Sequence, residues 1–142
     1  MMSDCLFCRP PQPETVLWRD DQCRILYAGD PDYPGFLRVV WNAHVAEMTD
    51  LDIRRRQYLM SVVFAAEAVL RELLHPDKIN LASLGNLVPH LHWHVIARFA
   101  DDAHFPDPVW APPRRPAGQP RPLDLALLRR RLAERLHAEA SR

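Results

Sequence analysis

The stretch His90-Leu91-His92-Trp93-His94-Val95-Ile96 alternates imidazoles with apolar side chains. In an extended strand, side chains at i, i+2 and i+4 share one face. The spacing therefore predicts a strand over His90–Phe99, with three imidazoles on one side and Leu91, Trp93 and Val95 turned to the core. Packing does not account for three adjacent imidazoles, which would repel one another if all were charged. Two chemistries use such a row. One is a three-histidine metal site of the catalytic zinc kind. The other is nucleophilic and acid–base work on a phosphate, in which a neutral imidazole attacks and its neighbours donate hydrogen bonds to phosphate oxygens.

Working outward, Lys78–Leu84 reads as a second strand, joined to the first by Gly85-Asn86-Leu87-Val88-Pro89. A link this short makes an antiparallel hairpin, since a parallel crossover needs a dozen residues or more. Upstream, apolar residues recur at helical spacing from Leu51 to Leu74, with Thr49 and Asp52 as a capping-box-like start and Pro76 as the stop. Further strands are expected at Val16–Trp18, Cys23–Ala28 and Phe36–Asn42, with turn residues over Gly29–Gly35. The fold class is α+β: an antiparallel sheet of about five strands with one long helix. Beyond it, seven prolines between Phe105 and Pro122 predict an extended surface segment outside the core. Leu125, Leu128, Leu132 and Leu136 predict an amphipathic helix over Leu123–Arg142. This divides the chain into a domain over 1–104 and an extension over 105–142.

Composition narrows the function classes. The chain has 142 residues, 48% hydrophobic and 25% charged, and 18 basic residues balance 18 acidic ones. Nothing global points to a nucleic-acid or membrane partner. No run of about 18 apolar residues occurs, and Met1-Met2-Ser3-Asp4-Cys5 has neither the basic nor the apolar region of a secretory signal, so a cytoplasmic setting is expected. Residues 114–142 carry eight arginines against three acids, which reads as a solvated helix face. Without a secretory signal, the Cys5-x-x-Cys8 pair points to a metal or redox site; no helix start follows it, which disfavours redox chemistry. Cys23, inside a strand-like run, reads as a small buried hydrophobe. His75, His104 and His137 read as surface or turn residues. No G-x-G-x-x-G or G-K-[ST] loop occurs, so phosphates would be held by histidines and backbone.

The row His90–Ile96 matches the signature H-φ-H-φ-H-φ-φ, with φ apolar, of the histidine triad (HIT) family. The segment Tyr33-Pro34-Gly35-Phe36-Leu37-Arg38-Val39-Val40-Trp41-Asn42-Ala43-His44 is similar to that family's P-G-H-x-L-V-I-P-x-x-H element. The resemblance covers about residues 5–99 and is nearest to bacterial diadenosine-tetraphosphate hydrolase-like members. It implies a HIT-like fold and a nucleotide phosphohydrolase acting at the α-phosphate of nucleoside phosphoramidates or dinucleoside polyphosphates. His92 would be the nucleophile that forms a nucleotidyl-histidine intermediate, His94 would sit by the phosphate oxygens, and His90 would complete the triad. Asn86 stands where the family has a polar residue, usually Gln, that contacts phosphate or leaving group. In a zinc-binding branch, a C-x-x-C, the upstream histidine and the first triad histidine hold a structural Zn2+; those positions are filled here by Cys5, Cys8, His44 and His90. A purine nucleotide substrate and a homodimer are implied in the same way.

The chain departs from the family pattern at Phe36, where His is usual, and at Leu87, near a usual Ser. The family's ribose-binding acid falls on Ala28 in a gapless alignment, leaving Asp30 as the nearest carboxylate. These departures bear on nucleotide affinity and base preference more than on reaction type. Two further classes stay open. One is nucleotidyl transfer to another acceptor, or adenylate removal from a nucleic-acid end, against which the zero net charge counts. The other is a nucleotide-binding regulator with little turnover. The segment His104–Trp110, aromatic residues among prolines, is expected to reach toward the active site.

Overall fold

The computed structural model describes residues 4–140. Five strands, β1 (Val16–Arg19), β2 (Cys23–Tyr27), β3 (Phe36–Trp41), β4 (Lys78–Ala82) and β5 (His92–Arg98), form one sheet in the order β1-β2-β3-β5-β4. Every neighbouring pair is antiparallel, including the β4–β5 hairpin. The long helix α1 (Ile53–Leu74) joins β3 to β4, and α2 (Leu125–Ala140) closes the described chain. The fold class read from the sequence holds. The end of the helix expected over Leu123–Arg142 lies outside the described residues.

Alternation gives the sheet two unlike faces. On one, Ile25, Leu37, Val39 and Val95 pack against Leu59, Val62, Val63, Ala66 and Leu70 of α1, all fully buried. Each Val, Leu or Ile among them contributes about 1.5–3 kcal/mol on burial. Leu128, Leu132 and Leu136 of α2 join this core. Gly35 allows α1 to lie close to the sheet. A Cβ there would sit 2.7 Å from Leu74 Cδ1 and 2.8 Å from Ala97 Cβ. The opposite face carries Arg24, Arg38, His92, His94 and Arg98, with two small apolar clusters around Phe7 and Tyr33.

Three local expectations are corrected. Thr49 does not cap the long helix. Met48–Asp50 forms a separate 3-10 turn with a Glu47/Asp50 capping box, and α1 begins one turn later with Asp52 accepting from the Arg55 N–H. Leu51, in extended conformation, separates the two and sends its side chain into the core. Second, β5 begins at His92, because the Leu91 N–H turns away to the Val45 carbonyl and the His90 N–H to that of Val88. Third, the proline-rich stretch has no buried residue, as expected, yet it turns repeatedly instead of running extended.

Those turns are organised by a buried ion pair at the end of β5. Arg98, 2% exposed, donates to both carboxylate oxygens of Asp102 at 2.9 and 3.0 Å, to Asn80 and to the Asp107 carbonyl. Asp102 also accepts from the backbone N–H groups of Phe99, His104 and Phe105. Burial alone would raise the Asp102 carboxyl, but Arg98 and these N–H groups outweigh it and hold the group well below the usual carboxylate range. A depressed folded-state pKa adds stability above the unfolded value, lost as pH falls through the folded one. Asp102→Asn should cost about 3–5 kcal/mol in urea unfolding at neutral pH, since it leaves Arg98 buried without its counter-charge. The difference should shrink as pH drops below about 4; a loss under about 1 kcal/mol at neutral pH would show that the pair does not organise this end of the sheet.

Candidate active site and metal centre

The N-terminal segment crosses the polar face of the sheet beside β3 and β5. Its 3-10 turn Leu6–Cys8 follows Cys5, which places both thiols against His90 and His44. Cys5 Sγ lies 3.3 Å from His90 Nδ1, Cys8 Sγ lies 3.2 Å from His44 Nδ1 and 3.5 Å from His90 Nδ1, and the two imidazole Nδ1 atoms are 3.3 Å apart. All four candidate ligand atoms fall within 4.8 Å of one another. Tetrahedral Zn–N bonds of about 2.0–2.1 Å and Zn–S bonds of about 2.3 Å place ligand atoms about 3.3–3.8 Å apart. The donor set and its spacing therefore fit a closed tetrahedral cation site.

The surroundings of the tetrad support that fit. His90 Nε2 donates to the Trp41 carbonyl at 2.5 Å. A carbonyl only accepts, so the proton is on Nε2 and the Nδ1 lone pair faces the thiols. Such a second hydrogen bond is the usual device for fixing a ligating imidazole. Arg24 donates to the Phe7 carbonyl, inside the C-x-x-C turn, and to Asn42, two residues before His44. It ties two of the three ligand-bearing segments to β2.

The second and third triad histidines face a different space. His92 and His94 line a cavity of about 440 Å³ together with Arg38, Phe7, Asn86, Leu87 and Trp110. His92 Nδ1 donates to the His90 carbonyl at 2.6 Å. The neutral ring of His92 therefore keeps its lone pair on Nε2. Burial lowers the pKa of His92, and the Arg38 charge adds to this, against the hydrogen bond that the His90 carbonyl accepts. His94 is pushed down to about 4 by burial, then by His92 and Arg38. Both rings are thus neutral near pH 7. Their centroids are 5.0 Å apart, nearly perpendicular, and Phe7 packs against His92 at 4.8 Å.

Of the candidates read from the sequence, Cys5, Cys8, His44 and His90 come together as one cluster, and His92, His94 and Asn86 around the cavity. His90 has both ring nitrogens engaged and does not line the cavity. Asp30 also stays outside it, accepting from the Asp32 N–H in its own turn. Trp110 lies 6.4 Å from His94 and walls the cavity, so the proline-rich arm does reach this site. Sequence reading did not single out Arg38 or Phe7. The signal for Arg38 was present: one charge in the otherwise apolar run Phe36–Trp41. Cys23 is fully buried as expected, and burial pushes its thiol up to about 12. His104 contacts the Tyr33 hydroxyl at 2.5 Å and His75 caps α1 in left-handed conformation.

Residues 9–101 match the HIT domain family. Over 81 residues the chain is 33% identical to a Mycobacterium tuberculosis protein named AP-4-A phosphorylase, a match covering 53% of this chain and 42% of that one. The chain thus spans under half the length of that relative. Among solved structures, a histidine triad protein from Bradyrhizobium japonicum is 31% identical, with a TM-score of 0.65 over 87% of this chain and 90% of that one. One from Marinobacter aquaeolei is 29% identical, with a TM-score of 0.68 over 88% and 91%. A histidine triad family protein from Mycobacterium smegmatis, described as Zn-bound, is 22% identical with a TM-score of 0.62 over 99% of both chains. With the triad, the cavity and the sheet order all in place, this chain belongs to the HIT domain family.

Proposed function

We propose that this protein is a nucleotide phosphohydrolase that cleaves nucleoside phosphoramidates or dinucleoside polyphosphates at the α-phosphate through a nucleotidyl-histidine intermediate. The observation that carries the reading is the hydrogen bond from His92 Nδ1 to the His90 carbonyl, which leaves a neutral Nε2 lone pair at an open cavity. In the first step Nε2 attacks the α-phosphorus, a P–N(His92) bond forms and the bond to the leaving group breaks. In the second, water attacks the same phosphorus, the P–N bond breaks and the nucleotide leaves. Splitting one displacement into two is the advantage of a covalent intermediate. His94, neutral, donates its N–H to a phosphoryl oxygen, and the Asn86 amide at the cavity rim does the same for phosphate or leaving group.

We infer that Cys5, Cys8, His44 and His90 hold one structural Zn2+, on the tetrad's spacing and donor set. When bound, the ion would supply cross-linking rather than substrate activation, since four protein ligands leave no open position. His90 then acts as a positioning residue through its carbonyl. A site built on two thiolates suits a reducing compartment such as the cytoplasm. No described helix is long and apolar enough to cross a membrane. The reading includes a purine nucleotide substrate and a homodimer as the assembly.

One observation favours a second reading. The relative named a phosphorylase raises phosphate, instead of water, as the acceptor in the second step.

Purified protein should release AMP from adenosine 5′-phosphoramidate, and His92→Ala should lower kcat by about 10³-fold or more. Release that survives the substitution would remove His92 as nucleophile. Nucleotide binding without release would leave a binding protein. With a dinucleoside tetraphosphate, inorganic phosphate should not change the products; conversion of the AMP product to ADP would establish the phosphorylase reading. Metal analysis should find one zinc per chain. Its removal by a chelator should lower the thermal midpoint, and Cys8→Ser should show the same lowered midpoint and reduced zinc content.

A further inference from the structure

Arg38 is register-paired with His94 across β3 and β5. Directly opposed residues of an antiparallel pair project from the same face, and Arg38 shares the cavity with His92 and His94. Its Cζ lies 5.1 Å from the centroid of the Phe36 ring. Among the described residues its guanidinium has neither hydrogen-bond nor ion-pair partner. The two buried arginines of this sheet face behave differently: Arg24 is bonded to Asn42 and the Phe7 carbonyl, Arg98 to Asp102 and Asn80. Burial lowers the pKa of Arg38, and the Asp30 charge partly offsets it.

A half-buried guanidinium with no ion-pair or hydrogen-bond partner is costly in the free protein. A ligand that supplies an anion there recovers that cost. The planar fork of five donors matches paired phosphoryl oxygens, and packing on Phe36 leaves its N–H edges available.

We propose that Arg38 is a further catalytic residue, whose guanidinium donates to the non-bridging oxygens of the phosphoryl group that His92 attacks. The assignment rests on the hydrolase reading given above. Arg38 transfers no proton and forms no covalent bond. It holds the phosphorus within reach of His92 Nε2 and opposes the charge spread over the equatorial oxygens during displacement. Trp110 and Leu87 bound the rest of the cavity, and Arg38 is the one arginine or lysine among the described residues that line it.

The test compares wild type with Arg38→Met and Arg38→Lys in two assays. Calorimetric binding uses AMP and adenosine, which differ only in the phosphate; turnover uses adenosine 5′-phosphoramidate. Arg38→Met should bind AMP at least about tenfold more weakly and adenosine within about twofold of wild type. Its kcat/KM should fall by about 10²–10³-fold, mainly in kcat. Arg38→Lys should recover part of the loss, because it restores the charge without the fork. Equal losses for AMP and adenosine would mean a disturbed cavity and would overturn the assignment, as would turnover of Arg38→Met within twofold of wild type. If wild type binds AMP but turns over nothing, the hydrolase reading fails, and the assignment of a catalytic role to Arg38 falls with it; the AMP-to-adenosine ratio then still decides whether Arg38 holds phosphate.

Discussion

His90 holds three parts of the molecule together. Its Nε2–H donates to the Trp41 carbonyl at the end of β3, its Nδ1 meets both thiols and His44, and its own carbonyl accepts from His92 Nδ1. Each bond restricts the next. The Trp41 carbonyl sets the tautomer of His90, which directs a lone pair to the cysteines. The His90 carbonyl sets the tautomer of His92, which directs a lone pair to the cavity. A fully buried imidazole with unmet hydrogen bonds would be costly, so packing of the N-terminal segment and orientation of the His92 ring depend on the same residue.

The two ends of the polar sheet face use different anchors for the same purpose. Near the start of β5, the Cys5–Cys8 turn brings Phe7 against His92 and forms one wall of the cavity. Past the end of β5, the Arg98–Asp102 pair gathers the N–H groups of the following turn, and the arm that leaves it carries Trp110 back over His94. Neither wall belongs to the sheet. The strands supply the polar side chains His92, His94 and Arg38; two irregular segments supply the enclosure. A charged substrate bound there would be held in partly desolvated surroundings, where each hydrogen bond to phosphate counts for more than it does in water.

Much of this arrangement was legible in the residues. Period-two alternation over His92–Ile96 placed the imidazoles on one face and Trp93 and Val95 on the other, because strand geometry permits nothing else. Helical spacing from Leu59 to Leu70 marked the core face of α1, and leucines at 128, 132 and 136 marked that of α2. The errors fell where local rules compete. Thr49 precedes an acid at capping-box spacing, but Leu51 is drawn into the core and breaks the turn from the helix, so Asp52 takes the cap. Prolines between 105 and 122 suggested an extended run; the carboxylate of Asp102 and the reach of Arg98 and Arg115 fold it into turns. Asp30, chosen as the nearest carboxylate in the chain, is spent on its own turn.

Alternation, helical periodicity and turn chemistry are short-range properties, and they suffice for the element order, the fold class and the two faces of β5; the ligand set Cys5, Cys8, His44 and His90 followed only from the resemblance to the family. Which side chains meet is a long-range matter. Cys5 and His90 are 85 positions apart and touch only because β3 and β5 are neighbours and the N-terminal turn lies across both. Arg38 gains its place beside His94 from strand register, and Trp110 from a loop pinned by a buried ion pair. Tertiary structure decided those contacts because each is fixed by packing among segments whose sequences carry no record of one another.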